Sequence, residues 1–523
     1  MATRVVYLPL DERPCNLLYP QQLAAMTDLE MIVPRMDQLG SKKQSADCEE
    51  LSVWLMQQCK DANVLIVSID MLVHGGIVPS RLHHDSAERC HDRIRMLETL
   101  KEANPLLKIY AFNLITRVPA YSSSEEEPDY YDQVGRELYE LGWFTDKRDS
   151  VGLTESEEIR LKNITAAIPA EILRDYLARR DVNSQVNQMS IDLVQSGVID
   201  YLIIPLDDNS QFGFSAMEQK TLTVRVELSG LSDKVAIYPG ADEIGCTLFS
   251  RVFCEVKNYN PSLFVRYSST KGPLCIPKYE DRSLAESIKA HVTSAGAIIS
   301  DASSDANAIL MVHSPAVGQS EMAETDTAFQ DRHRSYFSEI NIREFVQVMK
   351  HYLKAEKLVM LADVALCNGG DHQLMRLIHA QGLLGQLSGY AAWNTSGNSL
   401  GTVISHAVIA SYYRFNASEK QDAHDISSQS FYISRLIEDW GYQALVRKQI
   451  CENNLPGLGA SYFEISHVID EVCELIEVEL NRFAEEYLWE QGLKPMKVVD
   501  VELPWKRMFE VGFAIQMGGV HGE

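Results

Sequence analysis

The stretch Tyr201-Leu-Ile-Ile-Pro-Leu-Asp-Asp-Asn209 decides how the rest of the chain is read. A short apolar run rich in Ile and Leu predicts a parallel strand buried on both faces. Two adjacent carboxylates, Asp207 and Asp208, follow directly at its carboxyl end. Like charges that close cannot both ionise freely, so one of the pair is expected to titrate high. A pair of this kind at a strand end points to acid/base or metal chemistry.

The same design recurs on either side. Val5–Leu10 runs into Asp11, Glu12, Arg13 and Asn16, and Val64–Ile69 into Asp70, His74-Gly75-Gly76 and Arg81. Ile109–Phe112 leads to Asn113 and Arg117, and Val235–Pro239 to Asp242 and Glu243. Leu358–Ala362 leads to Asp363, Asn368 and Asp371, and Gly389–Ala392 to Trp393, Asn394 and Asn398. Strand candidates near 4–10, 63–69, 107–113, 200–206, 235–239, 308–312, 358–362 and 387–392 alternate with helical patterns, which predicts parallel βαβ units. Eight such strands imply an α/β protein of the (β/α)8-barrel type over residues 1–402, with the strand ends converging on one face. Met31–Pro34 reads as a further short strand. Phe264–Tyr267, a helix over Arg282–Ala295 and Ala297–Ser300 read as an inserted α/β segment at about 260–305, or as part of an open sheet. The polar stretch 121–155 reads as a long loop over the strand-end face. From 403 to 523 the strand signal fades into amphipathic helices near 404–413, 431–453 and 465–491, a helical C-terminal region.

Composition excludes several classes. The 523 residues carry 73 acidic and 48 basic side chains, a formal charge of −25, which leaves no basic stripe for nucleic acid. No window approaches the roughly 18 consecutive apolar residues of a membrane span, and Met1-Ala-Thr-Arg4 enters a strand with no signal-like apolar region. A cytoplasmic protein is expected. Ten cysteines lack CxxC or zinc spacing and are expected to be reduced and buried. The chain has no GxxxxGK[ST], no GxGxxG after its first strand, no GxSxG and no HExxH or HxH, so no cofactor and no resident metal is expected. The sequence does not speak to oligomeric state.

The blocks Leu8-Pro-Leu-Asp-Glu-Arg-Pro-Cys-Asn16, Asp70-Met-Leu-Val-His-Gly-Gly76, Pro205-Leu-Asp-Asp-Asn209, Gly240-Ala-Asp-Glu243 and Trp393-Asn-Thr-Ser-Gly-Asn398 together resemble an uncharacterised bacterial family, a domain of unknown function, along the whole chain. That resemblance implies a fold family and no reaction. More distantly, the order of strand-end motifs is similar to that of the O-GlcNAcase and hyaluronidase-type N-acetylhexosaminidases, (β/α)8 barrels with a vicinal Asp pair after the fourth strand. This second resemblance implies hydrolysis of an N-acetylhexosamine-type sugar. Asp207 would orient the substrate's acetamido group and Asp208 would act as acid/base, while Asp363–Asp371 would take the place of a late polar loop. The likeness departs at Asp11-Glu12-Arg13 and at 264–300, which have no counterpart there.

Other readings of the same residues stand beside this one. The Asp pair can be a solvated cap at a helix start, with Asn209 or Ser210 as N-cap. Asp11, Asp70, Asp207, Asp208, Asp242 and Asp363, with His74, can serve a metal-dependent hydrolase or lyase. A non-catalytic protein that binds a polar metabolite is the third possibility. Arg13, Arg81 and Arg117 either grip a substrate carboxylate or phosphate, or neutralise Asp11, Glu12 and Asp70. Trp393 with Asn394 and Asn398 suits a sugar subsite, and equally a core Trp. His83 and His84 read as a solvated helix start. The expected partner is a small, sugar-like molecule.

Overall fold

Tyr201–Leu206 is a strand with every residue buried, and Ile203 and Ile204 have no exposed surface. Removing each such side chain from water contributes roughly 1.5–3 kcal/mol. The strand is β5 of a computed structural model that describes residues 3–416, 420–493 and 496–517. Contacts divide the chain into two units. The first comprises Met1–Glu12, Asp28–Leu248 and Tyr279–Arg282; the second comprises Arg13–Thr27, Phe249–Lys278 and Ser283–Glu523.

The first unit holds β1 (Arg4–Leu8), β2 (Glu30–Ile32), β3 (Val64–Ser68), β4 (Lys108–Phe112), β5 (Tyr201–Leu206) and β6 (Val235–Pro239) in the order β2-β1-β3-β4-β5-β6. Every pairing is parallel. Pro205 has no N–H to give a ladder, and its carbonyl instead accepts from the Ile115 N–H at 2.9 Å. The register therefore ends at an isolated Ile115–Leu206 bridge, and the chain leaves the sheet at Asp207.

The second unit holds β7 (Ser262–Tyr267), β8 (Ile298–Ile299), β9 (Ala308–His313), β10 (Val359–Asp363) and β11 (Gly389–Ala391) in the order β11-β10-β9-β7-β8, again all parallel. Read from β8, this is the order of the first sheet: a first strand, a second on one side, then a crossover back to the other side. In such open sheets the ligand crevice lies at the carboxyl ends where the order reverses, here β1/β3 and β7/β9.

The strands thus form two open sheets of six and five in place of one eight-stranded barrel. A strand buried on both faces carries the same apolar run in either architecture, and closure depends on which strands pair, which no local pattern encodes. The segment read as an insertion supplies β7 and β8 and is integral to the second sheet. Of the expected loop, residues 121–130 are irregular, but Tyr131–Ser150 is a helix that buries Tyr131, Val134, Leu138 and Leu141 at helical spacing.

The C-terminal region is helical, with Ser396–Phe415, Gln421–Arg435, Arg447–Asn453 and Ile469–Tyr487 as α-helices and Leu436–Val446 as a π-helix. Trp440, fully buried, meets Phe483 and Tyr487 with ring centroids 4.9 and 4.8 Å away. An antiparallel hairpin of β12 (Met496–Glu502) and β13 (Gly512–Met517) follows, which the sequence pattern did not announce. Among the described residues no helix is long and apolar enough to cross a membrane.

Candidate functional site

At the carboxyl edge of the first sheet, side chains from three strand ends and one loop join in a single network. Asp70 follows β3 on the short helix Ile69–His74, and the next helix, Ile77–Leu82, carries Arg81. The Gly75-Gly76 corner between them has φ values of +81° and +134°, and a Cβ on Gly75 would lie 2.7 Å from the backbone of Ala46. Only glycine fits that corner, and it is what turns Arg81 back toward the strand ends. Asn113 and Arg117 follow β4; Asp207 and Asp208 follow β5.

Arg81 donates to Asp207 at 2.6 Å and to Glu126 at 2.9 Å, and lies 3.6 Å from Glu127. Arg117 donates to Glu127 at 2.8 Å, to Glu126 at 3.1 Å and to Asp208 at 3.4 Å. Both guanidiniums are buried, so each needs its carboxylates: breaking one such pair costs about 3–5 kcal/mol. Asp70 accepts from the Leu114 N–H at 2.9 Å and from the Asn113 amide at 3.3 Å. Arg81 and Arg117 are therefore matched internally, by Asp207, Asp208, Glu126 and Glu127 in place of Asp11, Glu12 and Asp70. Glu126 and Glu127 from the loop were missed as site residues; the acidic run Glu125-Glu126-Glu127 was the available signal.

The two aspartates differ in protonation. Burial alone would raise Asp207, but Arg81, Arg117 and the hydrogen bonds from Arg81 and the Asp208 N–H outweigh it and hold its carboxyl below the usual range. Asp208 is pushed up to about 7 by its desolvated carboxyl and then by the Asp207 charge, against the opposing pull of Arg117 and Arg81. Its side chain nevertheless keeps 30% of its surface exposed, against 9% for Asp207. Asp70 is raised to about 6, by burial first, with the Leu114 and Asn113 hydrogen bonds opposing it and the Asp207 charge adding to it. The network can therefore present a fixed anion beside a reachable proton.

Of the other candidates in this unit, Asn209 has both amide atoms shielded and without a hydrogen-bond partner, while its backbone N–H donates to the Tyr279 carbonyl at 3.0 Å. Glu12 accepts from the Lys42 N–H at 3.1 Å. Asp11, Asp242 and Glu243 are buried, and Glu243 accepts from the Ala241 N–H at 3.0 Å. His74 is buried with its ring stacked on His83, centroids 4.1 Å apart, so His83 is not the solvated helix start expected of it. A surface cleft of about 470 Å³ lined by Lys43, Leu82, His84, Tyr130, Ile172 and Arg179 does not include the Asp pair.

The remaining candidates lie in the second unit. Asp371 caps the helix His372–Ala380 and receives Arg332 and the His313 Nε2, both at 3.1 Å. His313 in turn meets the Ser268 hydroxyl at 3.0 Å through Nδ1. Asp363 accepts from the Asp371 N–H at 2.7 Å and is raised to about 6, by burial first, with His313 opposing. Ser268, His313 and Arg332 were missed, although His313-Ser314 ends an apolar run just as Asp207-Asp208 does. Trp393 is 3% exposed, edge-on to Tyr19 at 5.8 Å and bonded to Thr402 through Nε1, so it is core and offers no open face for a sugar. Asn394 and Asn368 take left-handed backbone (φ +53° and +62°) and are joined by the Asn368 N–H to Asn394 carbonyl bond of 2.9 Å. Asn398 lies in the first turn of Ser396–Phe415, its N–H held by the Thr395 cap. Arg13 donates to Glu510 at 3.1 Å and stacks on Trp505, and the Asn16 amide faces the Cys15 sulfur at 3.7 Å.

A family model described as "Protein of unknown function (DUF4127)" matches residues 5–514, and the chain belongs to that family. Comparison with curated proteins finds no match.

Proposed function

We propose that the chain is a glycoside hydrolase acting on an N-acetylhexosamine-type sugar, with Asp208 as proton donor and Asp207 as the fixed anion that orients the acetamido group. The observation that carries this is the split within the pair: Asp207 gripped by Arg81 at 2.6 Å and held ionised, Asp208 more exposed and protonated up to about pH 7. Pushing two titratable neighbours apart in this way assigns one the acid role and the other the anion role.

In this mechanism the acetamido oxygen attacks the anomeric carbon while Asp208 protonates the departing glycosidic oxygen. Water then opens the cyclic intermediate with Asp208 as base. The test is hydrolysis of two N-acetylglucosaminides, one with an aryl leaving group and one with an alkyl leaving group. Asp208→Asn should lower kcat/KM about 10²–10⁴-fold on the alkyl glycoside, whose leaving oxygen needs the proton, and less on the aryl one. Equal loss on both, or no turnover of either by the unaltered protein while a metabolite binds tightly, would overturn it.

A further inference from the structure

The cleft of about 470 Å³ lies wholly within the first unit, and its volume is that of a small-ligand pocket. Leu82, Pro128, Tyr130 and Ile172, all half-buried, give it an apolar floor. The helix Ala170–Gln195 forms one wall, since Ile172, Asp175 and Arg179 recur at i, i+3 and i+7 and share a face. All three guanidinium nitrogens of Arg179 are engaged: with the His83 carbonyl at 2.8 Å, the Tyr130 hydroxyl at 3.1 Å and Asp175 Oδ2 at 2.8 Å. The Tyr130 hydroxyl donates to the same Oδ2 at 2.9 Å. These bonds fix the Asp175 carboxylate and leave its Oδ1 with the His84 ring, 3.5 Å away on a side chain 78% exposed. Glu171 stands four residues before Asp175, and among the described residues it has no ion pair or hydrogen bond. Like charges at that spacing on a helix repel. Asp129 and Lys43, also at the cleft, answer each other at 3.6 Å.

The cleft thus offers acceptors and negative charge around an apolar floor, while its own donors are turned to its own carboxylates. A carboxylate or phosphate ligand would meet like charge there, and a neutral polyol would find few donors for its oxygens. An ammonium has three donors and no acceptor, which is the complement of this inventory. We infer that the cleft binds a primary amine with an apolar body, an aryl- or alkylammonium. Its nitrogen takes Asp175 Oδ1 and the Glu171 carboxylate, and its chain lies on Leu82, Pro128, Ile172 and the Tyr130 ring. The exposed His84 ring swings out to give up its place at Oδ1. The formal charge of −25 draws a cation toward the chain from the outset. Leu82 and Pro128 directly follow Arg81 and Glu127, which lie 3.6 Å apart, so an occupant also braces the chain that frames the Asp pair. The inference does not rest on the glycosidase reading, and its test needs no activity.

The experiment is isothermal titration calorimetry of the full-length protein with phenethylamine, benzylamine and hexylamine. Phenethyl alcohol and phenylpropanoate serve as neutral and anionic counterparts. At least one amine should bind saturably, one equivalent per chain. The alcohol should bind about 10-fold more weakly or worse, because charge-assisted bonds to carboxylates are the stronger kind, and the phenylpropanoate should not bind. Glu171→Arg should weaken amine binding at least ~10-fold, and Asp175→Asn about 10-fold. Glu158→Arg makes the same change in net charge at an exposed position outside the cleft, on the helix Glu155–Ala167, and should leave binding unchanged. Circular dichroism checks that each variant is folded, and Glu171→Arg carries the result if Asp175→Asn is not. No saturable binding of any of the three amines, equal affinity for the alcohol, or equal loss in Glu171→Arg and Glu158→Arg would overturn the site.

Discussion

The carboxyl edges of the two sheets share a strand order and a chemistry but differ in access. Each sets aspartates at strand ends, Asp70 after β3 and Asp207 after β5 in the first unit, Asp363 and Asp371 at and after the end of β10 in the second, against cations: Arg81 and Arg117 in the first, Arg332 and His313 in the second. In the second, Asp363 and His313 have no exposed surface and Asp371 is 4% exposed, so the line Ser268–His313–Asp371 is closed off. In the first, Asp208 keeps nearly a third of its side-chain surface while its neighbour does not. A charged cluster sealed from solvent holds a fold together; one that leaves a protonated group at its rim can do chemistry.

The largest effects expected would separate the two edges by readout. Asp208→Asn should remove about 10²–10⁴-fold of kcat/KM on an alkyl glycoside while leaving the denaturant midpoint at pH 6 in place, because the amide replaces a carboxyl that is mostly protonated below about 7. Asp371→Ala should do the reverse. It strands the Arg332 guanidinium and the His313 ring and removes the cap from His372–Ala380, at a cost of about 3–5 kcal/mol measured by urea unfolding. If Asp371→Ala instead unfolded normally and lost turnover, the second edge would be the functional one.

A smaller effect is expected at Asn209. Replacing it by Ala removes two shielded polar atoms that have no partner, so stability should rise by about 1 kcal/mol. The same change should leave KM for the sugar in place, since neither amide atom reaches the surface. A variant that loses stability would show that the Asn209 amide holds structure.

How far this comparison could be read from the sequence depends on the distance between the residues involved. All eleven parallel strands were legible, because an apolar run ending in a polar cluster is a local signal: Val64–Ser68 before Asp70 and Tyr201–Leu206 before Asp207 are found at sight. The division into two sheets was not, because it lies in pairings such as β1 with β3, whose partners are some 59 residues apart (Val5 with Val64). The Asp207/Asp208 split was half legible. Adjacency implied that one carboxyl would titrate high, but which one follows from Arg81, and Arg81 reaches Asp207 across 126 residues. Trp393 misled for the complementary reason: its neighbours Asn394 and Asn398 are local, whereas the Tyr19 ring that covers it is not.

The subtlest measurement concerns the origin of the proton at the open edge. Asp208 is raised to about 7 partly by the Asp207 charge and is opposed by Arg117 and Arg81. As the proposed acid it must be protonated, so kcat/KM should hold on the acid side and fall about tenfold per pH unit above about 7. The low-pH limb belongs to Asp207, held below the usual carboxylate range, and should lie beneath the roughly 3.9 of an ordinary aspartate. Asp207→Asn removes the like charge while Arg117 and Arg81 still act on Asp208, so the alkaline limb of whatever activity remains should move down. Arg117→Gln removes an opposing cation and should move it up. Opposite displacements from two substitutions on either side of one carboxyl require that Asp208 be the titrating group; parallel displacements, or none, would place the proton elsewhere and leave the open edge with no more chemistry than the sealed one.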